Sequence, residues 1–257
     1  MMTTLYFDIE TGPREAGVLT ELERKPHSPL APLDPFDPAS VKLGNIKDKD
    51  KRAAKVRDAE KAHADLTLKR ECDHQVSLAA HEERVRERAA LCPTTAEILC
   101  IQTKVSGEDA TIDLGPESEV LKAFWSRAEN VYRWVNWVGH NRYGSNFDLD
   151  HIFRRSWALG ITPSVTPHFA KSRVDELAGR YLLFADRGSF MGLERAAGQL
   201  GFYVEDTRCS GKDFHRWFKG ALPSVQFGTP EEQRAEAVKY AMQDVELLEL
   251  IDGRISA

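Results

Sequence analysis

The 257-residue sequence predicts an α/β fold from three observations. Residues 3–11 alternate apolar with polar side chains, which is the period of a half-buried β-strand. After Pro93, short apolar runs alternate with segments of helical periodicity. Between these regions, residues 47–91 contain neither proline nor glycine, which favours one long helix or a helical hairpin. We therefore predict a single domain over residues 1–257 with a large insertion at about 13–93.

The remaining elements follow from periodicity and from the signals that start and stop helices. The first strand is expected to end at Gly12-Pro13 and to form an antiparallel meander with the next two strands. The last helix has the clearest start, because Thr229 fits its N-cap and Pro230 its first helical position. Strands are predicted at 97–105, 110–114 and 131–138, and helices at 118–130, 146–159, 193–200, 212–218 and 230–251.

The insertion begins with a proline-rich strap, residues 26–38, in which every third residue is proline. A polyproline II helix has three residues per turn, so the five rings would lie on one face of a stiff, extended segment. Two interpretations are open. The strap is either a rigid connector, which we favour because proline spacing is only a compositional signal, or a ligand for a proline-recognising protein partner.

The helical segment that follows, residues 47–91, is strongly charged. Its first part, residues 47–70, carries nine Lys and Arg against five Asp and Glu. This stretch is a candidate surface for a nucleic-acid backbone, although a solvated helix face explains the same charges. Cys72, His74 and His81 match no zinc-binding spacing and are interpreted as unrelated surface residues.

Composition restricts the class of protein. No apolar stretch approaches the roughly 20 residues of a membrane helix, and no signal-peptide pattern opens the sequence, so we expect a cytoplasmic protein without membrane contact. The four cysteines are scattered and are expected to be reduced thiols.

A net charge of −5 argues against binding nucleic acid by a large positive field alone, but it does not exclude nucleic acid as a substrate. The sequence indicates no oligomeric state.

Asp8 and Glu10 are the first candidate functional residues. They lie two positions apart in the first strand, so both carboxylates project to the same side, roughly 6–7 Å apart at about 3.3 Å per residue. Like charges at this distance repel unless a cation lies between them, and Mg²⁺ or Mn²⁺ prefers such oxygen ligands. A solvated polar strand face explains the pair equally well.

Two further acidic positions stand on predicted helices. Tyr240 and Asp244 are four residues apart on the last helix and therefore share a face. Asp148 stands at a helix start behind a glycine-containing loop, where the helix dipole favours a carboxylate. Each feature alone is common, because most such pairs are surface pairs and most such aspartates are caps.

Combined in this order, the motifs resemble those of the DEDD 3′-5′ exonucleases. They are Phe7-Asp8-Ile9-Glu10-Thr11, then Gly139-His140-Asn141 through Phe147-Asp148 with the Arg154-Arg155 helix, then Tyr240-x-x-x-Asp244. The tyrosine is similar to that of the DEDDy branch, which includes the proofreading domains of family-B DNA polymerases. Segments 44–48 and 89–93 resemble stand-alone predicted exonucleases of this type, and the resemblance covers most of the chain.

The resemblance implies an RNase H-like fold, with a mixed sheet of about five strands flanked by helices, and a two-metal mechanism. Asp8, Glu10, Asp148 and Asp244 would bind two Mg²⁺ or Mn²⁺ ions, with Asp8 shared between them. Tyr240 would orient the attacking water, since a tyrosine with an ordinary pKa of about 10 is a poor base at neutral pH.

Four more residues are implied as contacts to the terminal nucleotide. Thr11 would act through its backbone, Asn141 through a polar contact and Phe147 by stacking. His140 is either a fourth contact or simply a loop histidine. Five residues separate Asn141 from Phe147, more than is usual in the family, so either this loop bulges or Asn146 takes over part of the role.

The implied activity is hydrolysis of single-stranded DNA from its 3′ end with release of nucleoside 5′-monophosphates. The same chemistry on RNA is an open alternative, because none of these residues reads a 2′-hydroxyl. A third alternative is a non-catalytic nucleic-acid-binding scaffold, and the presence of all four acids and the tyrosine counts against it.

Overall fold

The computed structural model describes residues 3–137, 147–178 and 192–256. Contacts between residues divide the chain into two units. The first contains Met1–Val18 and Glu87–Ala257, and the second contains Leu19–Arg86. The assignment of the whole chain to one exonuclease domain stays a prediction.

Within the described residues, five strands form one mixed sheet: β1 (Thr4–Pro13), β2 (Ala96–Val105), β3 (Thr111–Leu114), β4 (Arg133–Asn136) and β5 (Val174–Glu176). Their order is β3-β2-β1-β4-β5, so β1 is the central strand. The pairs β1–β2 and β2–β3 are antiparallel, as the predicted meander requires, whereas β1–β4 and β4–β5 are parallel.

Strand β1 continues through Gly12-Pro13, where we expected it to end. Both residues still pair with β2, because a proline at a strand end needs no ladder hydrogen bond from its nitrogen. Gly12 serves close packing here rather than a turn. A Cβ on it would lie 2.9 Å from Leu99 Cδ1 and 3.1 Å from His215 Cβ.

Helices complete the described fold: α1 (Glu15–Arg24), α2 (Lys49–Ala90), α3 (Glu117–Ala128), α4 (Phe147–Ala158), α5 (Pro167–Arg173), α6 (Leu193–Gln199), α7 (Phe214–Phe218), α8 (Ser224–Phe227) and α9 (Pro230–Ser256). The predicted α/β class, with a mixed five-stranded sheet flanked by helices and a long helix after the first strand, is confirmed. Helix α9 begins where predicted, and the Thr229 hydroxyl accepts a 3.2 Å hydrogen bond from the Glu232 amide. None of the described helices combines the length and apolar character needed to cross a bilayer.

Two hydrophobic cores lie on opposite faces of β1. Leu5, Phe7 and Ile9 are buried in one core with side chains of α3 and α4. Tyr6 belongs to the other core, with side chains of α6 and α9. Because strand side chains alternate between faces, Asp8 and Glu10 project to the same side as Tyr6, which is the side of α9.

In the second unit, the proline-rich strap runs antiparallel along α2. The His81 Nε2 atom lies 2.9 Å from the Lys25 carbonyl oxygen, and the His63 Nε2 atom lies 3.0 Å from the Asp34 carbonyl oxygen. The nine residue steps from Lys25 to Asp34 therefore lie along the eighteen residue steps from His63 to His81. At about 3.1 Å per residue in a polyproline II helix and about 1.5 Å per residue in an α-helix, both lengths are roughly 27–28 Å. This agreement supports the rigid-connector interpretation. All five prolines are exposed, and a protein partner for them stays a prediction.

Two of the histidines of α2 that we expected to be unrelated surface residues face the strap instead. The His27 ring lies 5.0 Å from the His74 ring and 5.3 Å from the His81 ring, measured between centroids. Sequence spacing on α2 could not reveal this cluster, because His27 comes from another part of the chain.

Candidate metal centre

Helix α9 is fixed against the central strand by buried polar contacts. The Tyr6 hydroxyl donates a 3.0 Å hydrogen bond to Asp252 Oδ2, and the Arg133 guanidinium donates to both oxygens of the same carboxylate, at 2.6 and 2.8 Å. Asp244 lies about two helical turns before Asp252, and both belong to the buried side of α9. These bonds therefore direct Asp244 toward β1.

Three carboxylates meet at this place. Asp8, Glu10 and Asp244 each contribute one oxygen, and these oxygens lie within 4.8 Å of one another. Glu10 and Asp244 are 8% and 7% exposed, and Asp8 is partly buried. The Gln102 amide donates a hydrogen bond to Asp8 Oδ2 and so orients that carboxylate. Buried carboxylate oxygens at this spacing are a donor set that fits a hard divalent cation such as Mg²⁺ or Mn²⁺.

A bulge in the sheet accompanies the acidic pair. Glu10 pairs with Cys100, but the next residue, Thr11, pairs with Ile98, so β2 has one extra residue at this point. Bulges bend strands and redirect side chains, and they are frequent beside active sites.

Asp148 interacts electrostatically with two of these carboxylates, Asp8 and Glu10. It is buried in the first turn of α4, and its Oδ2 accepts a 2.9 Å hydrogen bond from Asn136 Nδ2 on β4. Burial raises the pKa of Asp148 well above its usual range, and the charge of Asp8 raises it further. Asp148 in turn raises the pKa of Glu10. The four predicted acids therefore form one electrostatic cluster, in which Asp8, Glu10 and Asp244 are in closest contact.

Every carboxyl of this cluster is harder to ionise than an isolated one. Burial raises the pKa of Asp8 to about 7, although hydrogen bonds to the Ile9 backbone and Gln102 lower it. Burial also raises the pKa values of Glu10 and Asp244, and the charge of Asp8 adds to both shifts. A bound cation would counter these effects by attracting the ionised forms.

Tyr240 belongs to the same cluster. Burial raises the pKa of its phenol well above the usual range, and the charges of Asp244 and Glu10 raise it further. In the metal-free protein the phenol therefore keeps its proton at neutral pH and is available as a hydrogen-bond donor. A Cβ on Gly211 would lie 3.2 Å from the Tyr240 hydroxyl oxygen, so a larger residue there would crowd the phenol.

A cavity of about 380 Å³ opens beside Glu10. Thr11 and Phe147, which the sequence indicated as substrate contacts, both line it. The Thr11 hydroxyl donates a 2.8 Å hydrogen bond to the Ala90 carbonyl, which attaches β1 to the end of α2. The cavity volume suits a small ligand. The other lining residues are Ile9, Glu87, Ala90, Leu91, Gly211, Lys212 and His215.

The remaining predicted residues have different outcomes. His140 and Asn141 lie outside the described residues. Arg155, from the second motif, is buried and paired with Glu117, with Nη2 and Oε2 2.6 Å apart. It holds α4 to α3 in the fold.

Four residues of the site were not predicted: Gln102, Asn136, Gly211 and Lys212. Each acts on a residue in a different segment of the fold. Gln102 reaches Asp8 from β2, and Lys212 Nζ lies 2.9 Å from the carboxylate of Glu87. No local spacing or periodicity indicates such contacts, so only the folded chain reveals them.

No family model and no curated protein matches the sequence. Among solved structures, the chain is similar to the family B DNA polymerase from the hyperthermophilic archaeon Pyrobaculum calidifontis, with a TM-score of 0.55 and 13% sequence identity. The similarity covers 100% of this chain and 25% of the polymerase chain. At this identity the comparison shows a related fold, and this chain corresponds to about a quarter of that polymerase.

Proposed function

We propose that this chain is a metal-dependent 3′-5′ exonuclease that hydrolyses single-stranded DNA from its 3′ end and releases nucleoside 5′-monophosphates. The observation that carries the proposal is the convergence of Asp8, Glu10 and Asp244, with Asp148 and Tyr240 beside them. The motif resemblance to polymerase proofreading domains and the fold similarity to a family B DNA polymerase support the same activity.

The carboxylates would hold the metal. Asp8, Glu10 and Asp244 would bind one divalent ion, and Asp148 with Asp8 would bind a second. When bound, the two ions would supply positive charge for the attacking and leaving oxygens of an in-line displacement at phosphorus. Gln102 and Asn136 position this set, because each donates a hydrogen bond to one of the carboxylates.

Tyr240 would orient the attacking water. In the metal-free site its raised pKa keeps the proton on the phenol at neutral pH, which favours hydrogen bonding over proton abstraction. Glycine at position 211 leaves room for this hydroxyl, since a Cβ there would lie 3.2 Å from its oxygen. Positioning of this kind contributes to rate by aligning the reactants.

The cavity beside Glu10 would receive the terminal nucleotide. Phe147 offers a ring for stacking, and Leu91 and Ala90 offer apolar contact for the base or sugar. Lys212, at the wall of the same cavity, places a cation where a phosphate of the strand would enter.

The test is digestion of 5′-labelled single-stranded DNA and RNA with Mg²⁺, with Mn²⁺ and with chelator. We expect stepwise shortening of DNA from the 3′ end that stops with chelator and in Asp148→Ala, and a loss of about 10²-fold in Tyr240→Phe. The exposed Glu246→Gln on the same helix as Tyr240 is the matched control and should keep full activity.

The outcomes separate the alternatives. Faster shortening of RNA than of DNA would mean that RNA is the substrate. Binding without shortening would favour the scaffold. Equal digestion by the wild type and Asp148→Ala would reject the assigned site.

A further inference from the structure

Positive charge in the second unit is concentrated at one end. Residues 42–61, where the strap leads into α2, hold eight of the 35 Lys and Arg of the chain but only four of its 40 Asp and Glu. All eight basic side chains are exposed. We call residues 42–61 the basic end.

Two of these eight basic side chains form hydrogen bonds within the described part of the chain. Arg52 Nε donates a 2.6 Å hydrogen bond to the Ile46 carbonyl, and Lys55 Nζ donates a 2.6 Å hydrogen bond to the Lys42 carbonyl. Among the described residues, the other six basic side chains form neither a side-chain hydrogen bond nor an ion pair. Asp48, one of the four acids, caps α2, because its Oδ1 accepts bonds from two backbone amides of the first turn, at 2.9 and 3.3 Å.

Electrostatics makes this excess of cations unfavourable, although Asp48 and Asp50 place two carboxylates at the same helix end. Lys49, Lys51 and Arg52 lie in the first turn of α2, where the helix dipole favours negative charge and opposes cations. The cations also repel one another, since many lie within a Debye length of about 10 Å at 0.1 M salt. An external polyanion would relieve both costs.

The length and composition of the basic end match a nucleic-acid backbone. Its helical part, residues 49–61, is about 20 Å long at about 1.5 Å per residue, which spans about six phosphates of a stacked, helical strand at roughly 3.4 Å per charge and fewer of an extended one. The basic end contains no aromatic residue on which a base could stack, so its contacts would be to phosphate.

We propose that the basic end binds the phosphate backbone of single-stranded nucleic acid without sequence preference. The proposal rests on the proposed function for the identity of the polyanion, since a nuclease must hold a nucleic-acid strand. It assigns a binding site to the second unit, and the carboxylate cluster of the first unit is not needed for that binding.

The experiment removes charge from the basic end of the full chain and from a matched region of the same unit. Binding of fluorescein-labelled dT20 and U20 is measured by anisotropy in EDTA, which prevents metal-dependent hydrolysis, between 0.1 and 0.4 M salt. The test variant combines Lys47→Gln, Lys49→Gln, Lys51→Gln and Lys61→Gln. The control combines Lys25→Gln, Lys69→Gln, Arg84→Gln and Arg86→Gln, all exposed positions outside the basic end.

We expect the test variant to lose affinity about fivefold at 0.1 M salt for each phosphate contact removed, and its salt slope to fall by about 0.7 per contact. The control should change by less than about twofold. Circular dichroism should show the same helix content in all three proteins, since every changed residue is exposed. Wild-type affinity in the test variant, or an equal loss in the control, would overturn the proposal.

The two proposals can fail separately. If the wild type does not shorten DNA with Mg²⁺ but the test variant still loses affinity, the basic end is supported and the exonuclease is rejected. If shortening occurs and affinity is unchanged in the test variant, the basic end is rejected and the exonuclease is retained.

Discussion

Replacing Asp8 by asparagine is expected to stabilise the metal-free protein at alkaline pH. Burial raises the pKa of Asp8 from 3.8 to about 7, so the folded chain binds this proton more tightly than the unfolded chain does. The stability that this proton contributes is complete below about pH 4 and is lost as the pH rises through about 7. Asparagine does not ionise, so Asp8→Asn does not lose this stability as the pH rises.

The size of the effect follows from the pKa. A rise from 3.8 to about 7, at about 1.4 kcal/mol per tenfold change in proton affinity, corresponds to roughly 4 kcal/mol of unfolding free energy at pH 8. Asp8 is only partly buried, and solvent screening reduces the expected gain to about 2–4 kcal/mol. For a chain of this length that is an increase in Tm of roughly 4–16 °C.

The assay is thermal unfolding of the wild type and Asp8→Asn at pH 5 and pH 8, in EDTA and with Mg²⁺. In EDTA the wild type should lose stability between pH 5 and pH 8 more steeply than the variant. Mg²⁺ should raise the Tm of the wild type at pH 8, because the ion binds the folded state. It should raise the Tm of the variant much less, because one ligand charge is missing.

Asp252→Asn is the matched control, with the same chemical change at a buried carboxyl of α9. Burial opposes ionisation of Asp252, but the hydrogen bonds and charge of Arg133 lower its pKa on balance. Its ionised form therefore stabilises the fold above about pH 4, and that stability is lost as the pH falls. Asp252→Asn should be less stable than the wild type at pH 8, with or without Mg²⁺.

The reasoning about the cluster would be refuted by either of two results. One is an Asp8→Asn protein that is less stable than the wild type at pH 8 in EDTA. The other is a variant that gains as much Tm from Mg²⁺ as the wild type does.

Three further substitutions test particular contacts. Gly211→Ala should lower the exonuclease turnover number with little change in Tm, because the new methyl group would lie 3.2 Å from the Tyr240 hydroxyl; steady-state kinetics with unchanged turnover would contradict this. Gly17→Ala should destabilise the fold by about 1–3 kcal/mol, because its Cβ would lie 2.7 Å from Thr95 Cα; urea denaturation measures the loss. Thr229→Ala should cost about 1 kcal/mol by removing the cap of α9, and an unchanged denaturation midpoint would argue against the cap.

Local chemistry explains why much of the fold could be predicted. The alternation in residues 3–11 reports which side chains share a face, and it correctly grouped Asp8 with Glu10. Residues 47–91 lack helix breakers, and α2 occupies Lys49–Ala90 as one helix. Short elements such as β5, with three residues, escaped prediction because so few residues cannot display a period.

The sequence by itself determined which acids share a strand face or a helix face, since the direction of a side chain follows from the period of the strand or helix that carries it. Only the tertiary structure decided that these faces meet. The antiparallel pairing of β1 with β2 delivers Gln102 to Asp8, and the Arg133–Asp252 contact holds α9 where Asp244 reaches the strand. Such contacts join residues that are far apart in the chain. Their energy depends on proximity in three dimensions, which the residues next to each partner in the sequence do not indicate.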